Sequence, residues 1–126
     1  MSFKTDRARV DGLGSAKEGT HHFSVQRITA VALIPLTLFF IFTLASAMGA
    51  PLAEVRATYA SPFNAIVAIL FIGTSFYHLK LGLQVVIEDY VHTPATRTGL
   101  LIGNILFCWA FGLSGVFAIA KIAFTA

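Results

Sequence analysis

The chain is short of charge and almost without cysteine, and each shortage excludes something. Charged residues make up 12% of its 126 residues, about half the roughly 25% carried by an ordinary soluble domain. With 56% hydrophobic residues and a mean hydropathy of +0.78, a soluble globule of this length is excluded. Cys108 is the only cysteine, so no disulfide can form within the chain. It lies inside an apolar run and reads as a small buried hydrophobe. The net charge of +3 and pI near 9.4 do not describe a nucleic-acid surface, because Lys and Arg are sparse and flank the apolar runs. No nucleotide-binding motif, iron–sulfur motif, internal repeat or low-complexity tract is present.

What is there is hydrocarbon. About 20 helical residues cross the apolar core of a bilayer, and three runs meet that length, over about 28–48, 62–87 and 98–124. The expected fold class is therefore all-α, an integral membrane protein with three transmembrane helices. Residues 1–27 form a polar arm and residues 28–126 the membrane domain. Pro35 falls inside the first run, where neighbouring helices can satisfy the carbonyl it frees. Pro62 is well placed for the first turn of the second helix. Gly103, Gly112 and Gly115 permit close packing of the third, although the nine positions from Gly103 to Gly112 keep the three off one face.

A cleavable signal peptide does not fit, since the first apolar run starts late and is too long. A mitochondrial transit peptide does not fit Asp6, Asp11 and Glu18. A bacterial inner membrane is the expectation. Lys4, Arg7, Arg9, Lys17 and Arg27 lie before the first run and Arg97 between the second and third, against Arg56 and Lys121 opposite. The bias of Lys and Arg toward the cytoplasm puts the N-terminus and Asp89–Arg97 inside and the C-terminus in the periplasm.

The second run carries the residues that lipid alone does not explain. At about 100° per residue, Ser75, His78, Gly82, Val85 and Asp89 share one helix stripe, with His78 and Asp89 roughly 16 Å apart along the axis. An ionisable group within a span costs several kcal/mol and marks function. A neutral imidazole is a natural axial haem ligand, and Gly82 leaves a flat space where a macrocycle can approach the backbone. The other reading of His78 is a polar contact between helices. Only one histidine lies mid-span, so a six-coordinate haem needs its second ligand from another chain.

Asp89 and Tyr90 close the same helix. A phenol can donate to a carbonyl and a carboxylate can hold or relay protons; alternatively Tyr90 belongs to the aromatic belt at the interface. Arg27, preceded by His21 and His22, opens the first span on the same side. It suits carboxylates such as haem propionates or, equally, lipid headgroups. Lys80 lies about 200° round from His78, where it snorkels or pairs. Ser75, Gln84 and Asn104 are read as hydrogen-bonding groups between helices, and Trp109 as packing.

The pattern H-x3-G-x-Q-V-x3-D-Y-V, running from His78 through Gly82, Gln84, Val85, Asp89 and Tyr90 to Val91, resembles the second-helix signature of the small hydrophobic membrane-anchor subunits of succinate dehydrogenase. His21, Phe23, Arg27, Thr29 and Ala30 resemble that family's stretch leading into the first helix, and the QRITAVALIPL run its bacterial, alphaproteobacterial branch. His22 departs from members with an acidic residue there.

The resemblance implies a respiratory subunit of succinate:ubiquinone oxidoreductase (complex II), half of a heterodimeric helical anchor. Its implied partners are the companion anchor subunit, the iron–sulfur subunit and the flavoprotein subunit. It further implies that His78 ligates haem b iron opposite a histidine of the companion anchor, with Gly82 packing on the haem. Arg27 and His21 then face its propionates, and Tyr90 with Asp89 serves ubiquinone. The alternatives are a haem-free structural anchor or assembly factor, and the anchor of a related quinol:fumarate reductase.

Overall fold

The computed structural model describes residues 5–10 and 18–125. Lys4, Asp11, Gly12, Gly14 and Lys17, which belong to the arm, lie outside the described residues. Among the described residues the chain is helical almost throughout, as α1 (Asp6–Val10), α2 (Glu18–Ala47), α3 (Leu52–Ala60), α4 (Pro62–Tyr90) and α5 (Pro94–Thr125). Three of these are long and apolar enough to cross a membrane: α2, α4 and α5. The all-α, three-span architecture expected from the sequence is the one observed.

The helices outrun the apolar runs. At about 1.5 Å per residue, the 29 residues of α4 extend about 43 Å, well beyond a hydrocarbon core of about 30 Å. Their ends therefore stand in the headgroup region. The difference is largest in α2, which begins at Glu18 rather than near 28. Residues 18–27 of the expected arm are its first turns. The residues of this stretch other than Gly19 impose no break, so helix propagates through them once the apolar part is fixed.

Some hydroxyls inside the spans bond to their own helix. Thr43 donates to Phe39 and Phe40 carbonyls at 3.1 and 2.9 Å, and Ser46 to the Thr43 carbonyl at 2.8 Å. Such back-bonding satisfies these two hydroxyls within their own helix. Pro35 is exposed and lies within the continuous α2. Gly49, with φ of +78°, ends that helix in the left-handed conformation that glycine adopts without steric cost. The connection from Gly49 to Ser61 is more ordered than a polar link needs to be. It holds the nine-residue α3, which crosses the end of the bundle and buries Tyr59.

Most large apolar residues point outward, and small residues supply much of the interior. Phe42, Leu44, Phe63, Ile66, Leu106 and Phe117 are exposed, whereas Ala47, Ala65, Ala68 and Cys108 are buried together with Tyr59, Val67 and Leu81, Ala68 without any accessible surface. In lipid, helices gain nothing by hiding leucine, so association depends on close packing of small residues. At the α4–α5 seam, a Cβ on Gly112 would lie 3.1 Å from Phe76 Cβ and one on Gly115 2.9 Å from Ile72 Cγ2. Gly103 has nothing within 4 Å and is off this seam, in keeping with its spacing. On the other seam, the Phe40 and Phe71 rings of α2 and α4 stack at 4.4 Å between centroids. The two seams place α4 between α2 and α5.

Candidate functional site

The face of α4 that carries His78 is turned toward α2. Because the two helices run antiparallel, the start of α2 lies beside the end of α4. Polar groups of both helices meet there: His22, Gln26 and Thr29 along one stripe of α2, and on α4 His78 and, nearer the helix end, Gln84 and Glu88. His78 Nδ1 lies 2.8 Å from Thr29 Oγ1, and His78 Nε2 lies 3.4 Å from Gln26 Nε2. The imidazole is half-buried and Thr29 is buried. Gly82 lies under the Gln26 side chain, and a Cβ there would stand 3.5 Å from Gln26 Nε2.

Two atoms in this region have no hydrogen-bond partner although they are shielded from solvent: Gln26 Oε1 and His22 Nε2. A polar cleft beside them is lined by Gly19, His22, Gln84 and Glu88. Gln84 Nε2 donates to Glu88 Oε1 at 3.0 Å, so Gln84 bonds within its own helix rather than between helices. Asn104 is the interhelix group expected, donating from α5 to the Lys80 carbonyl at 2.9 Å. Ser75 makes no such bond among the described residues. Cys108 is buried and its Sγ donates to Asn104 Oδ1 at 3.4 Å.

The remaining candidates are spread around this centre. Asp89 and Tyr90 stand exposed at the end of α4, about three turns beyond His78. Arg27 lies on the outer face of α2 with its guanidinium 4.6 Å from the Phe23 ring centroid, a cation–π contact. It has no acidic partner among the described residues. His21 is exposed. Neither Arg27 nor His21 touches His78. Lys80, on the opposite side of α4, rests its ammonium 4.8 Å from the Tyr77 ring centroid. It also borders an apolar cavity of about 170 Å³ between α4 and α5, with Trp109 and Cys108.

The residues around His78 suit a haem. A metal-binding imidazole normally donates its second ring N–H to a fixed acceptor, and Thr29 is placed to accept it. Gly82 offers no side chain beside the ligand. Gln26 stands nearest Nε2, but it is a flexible side chain, not backbone, and its unpartnered carbonyl oxygen gives it little to lose by turning. Thr29 and Gln26 are the pair that the α4 stripe alone does not reveal. The available signal is two polar residues three apart at the opening of the first apolar run, on one helix face.

The fold and this polar seam define a small three-span membrane protein with a polar cluster where the first and second spans meet. A family model described as "Succinate dehydrogenase/Fumarate reductase transmembrane subunit" matches residues 1–117, and the chain belongs to that family. The chain is 35% identical over 121 residues to the succinate dehydrogenase hydrophobic membrane anchor subunit of Paracoccus denitrificans, covering 96% of this chain and 93% of that one. It is 34% identical over 105 residues to the corresponding subunit of Rickettsia bellii, covering 83% and 84%. The resemblance read from the second-helix motif is borne out. No solved structure matches the chain significantly.

Proposed function

We propose that the chain is a membrane anchor subunit of a bacterial succinate:ubiquinone oxidoreductase. In this reading it binds haem b together with a companion anchor subunit and helps to form the ubiquinone reduction site at the cytoplasmic face. It fastens the iron–sulfur and flavoprotein subunits to the inner membrane. The observation that carries the haem reading is a half-buried imidazole within a membrane-spanning helix, tied at Nδ1 by Thr29 and beside a glycine. Family membership supports the enzyme assignment.

When bound, a haem supplies a one-electron store in the low-dielectric bundle. His78 would ligate it through Nε2, Gly82 would give the macrocycle room, and Arg27 with His21 would pair with propionates on the cytoplasmic side. At the end of α4, Tyr90 donates a hydrogen bond to a quinone carbonyl oxygen, and Asp89 supports that site and its proton supply. Reduction to quinol takes two electrons and two protons. Negative charge developing on the carbonyl oxygens is stabilised by that hydrogen bond. With no redox motif of its own beyond the haem ligand, the chain builds the site while its partners oxidise succinate.

The purified complex is expected to show a Soret band and a bis-histidine b-type spectrum, and His78→Ala is expected to lose most of the haem. Full haem content in His78→Ala would overturn the ligand assignment. A second reading has its own support: His78 already bonds Thr29 and lies near Gln26 across the helix interface, as a haem-free structural anchor requires. A colourless native complex would favour it.

A further inference from the structure

Thr29 is polar, yet only 9% of its surface is accessible. Its hydroxyl has one proton to give. The Val25 and Gln26 carbonyls lie 2.9 and 3.0 Å from Oγ1, the back-bonding geometry of a helical threonine, and between them they take that proton. What Oγ1 presents to His78 Nδ1, 2.8 Å away, is therefore a lone pair. Two lone pairs cannot form a hydrogen bond, so Nδ1 carries the proton. A neutral imidazole has one N–H, so Nε2 is left bare. On the other side of the ring the nearest group is the Gln26 amide nitrogen, at 3.4 Å, a donor that suits a bare Nε2.

We infer that Thr29 is a positioning residue that fixes the tautomer of His78, keeping the proton on Nδ1 so that Nε2 is the atom offered to iron. Gln26 is the group that yields at Nε2. This deepens the haem reading above and rests on it. The hydrogen bond at Nδ1 raises the basicity of Nε2. Because the threonine hydroxyl itself donates to backbone, it is polarised into a better acceptor. A more basic axial ligand favours ferric over ferrous iron, so the threonine lowers the haem midpoint potential. Its loss moves the potential upward.

The test compares Thr29→Val, nearly isosteric but without a hydroxyl, with Thr29→Ser, which keeps the oxygen, in the assembled complex with all its subunits. Readouts are haem content, redox titration followed by absorption, and the low-spin ferric electron paramagnetic resonance signal. For Thr29→Val, the ferrous-to-ferric preference is expected to rise about tenfold, an upward shift of about 59 mV for a one-electron couple, or haem affinity to fall about tenfold or more. Thr29→Ser is expected to stay close to wild type. Wild-type haem content, potential and ferric signal in Thr29→Val would overturn the inference, as would a Thr29→Ser variant displaced as far as Thr29→Val. Should Thr29→Val fail to assemble, Thr29→Ala is read against Thr29→Ser by the same criteria. A wild-type complex without haem would instead defeat the underlying reading, and this inference with it.

Discussion

At the scale of single residues, the site is made of groups whose positions matter more than their number. Tyr90 is 78% exposed, so removing its hydroxyl costs the isolated fold almost nothing, and any loss falls on what the phenol binds. Tyr90→Phe is expected to slow quinone reduction about tenfold, the effect of losing roughly 1.4 kcal/mol of hydrogen bonding. Succinate oxidation with an artificial acceptor should persist. Equal loss of both activities would mean that the tyrosine serves assembly. His78, Gly82 and Asp89 are legible in the sequence because helical periodicity alone puts them on one stripe. Thr29 and Gln26 are not legible there as partners of His78, because that pairing depends on which residues of two antiparallel helices meet. Lys80 shows the same limit: its angle around α4 follows from the sequence, but its rest on the Tyr77 ring depends on side-chain conformation.

At the scale of helices, the α4–α5 seam depends on glycines that are not equivalent. A Cβ on Gly115 would lie 2.9 Å from Ile72 Cγ2, a methyl on a β-branched side chain that cannot swing aside freely. Gly115→Val is expected to destabilise the bundle by about 1–3 kcal/mol, as overpacking does, measured as a lower midpoint of thermal unfolding in detergent. Gly103→Ala is the control. It meets open space and replaces a poor helix former by the best, so its stability should match or slightly exceed wild type. Equal destabilisation by both would show that the seam is not where the structure puts it. Spacing in the sequence already separates Gly103 from Gly112. The extents of α2 and α3 are harder to read, since hydropathy marks where a helix meets lipid and not where its hydrogen bonding stops.

At the scale of the whole molecule, orientation decides which groups can work together. Three spans put the ends of the chain on opposite sides of the membrane, and they place the start of α2 beside the end of α4. Arg27, His21, Asp89 and Tyr90 therefore share one side, the side on which electrons from a soluble iron–sulfur protein must arrive if the proposed function holds. In the proposed orientation, which follows the Lys and Arg bias, that side is the cytoplasm and α3 lies in the periplasm. Single cysteines can check this directly, because native Cys108 is only 3% exposed and should stay unreactive. His92, between α4 and α5, and Ala53, in α3, are both exposed. In intact spheroplasts a membrane-impermeant maleimide is expected to label Ala53→Cys, and to label His92→Cys only after the membrane is opened. The reverse pattern would place Tyr90 and Asp89 at the periplasmic face. A quinone served there would be cut off from electrons delivered on the cytoplasmic side, so the assignment of these two residues stands or falls with the orientation.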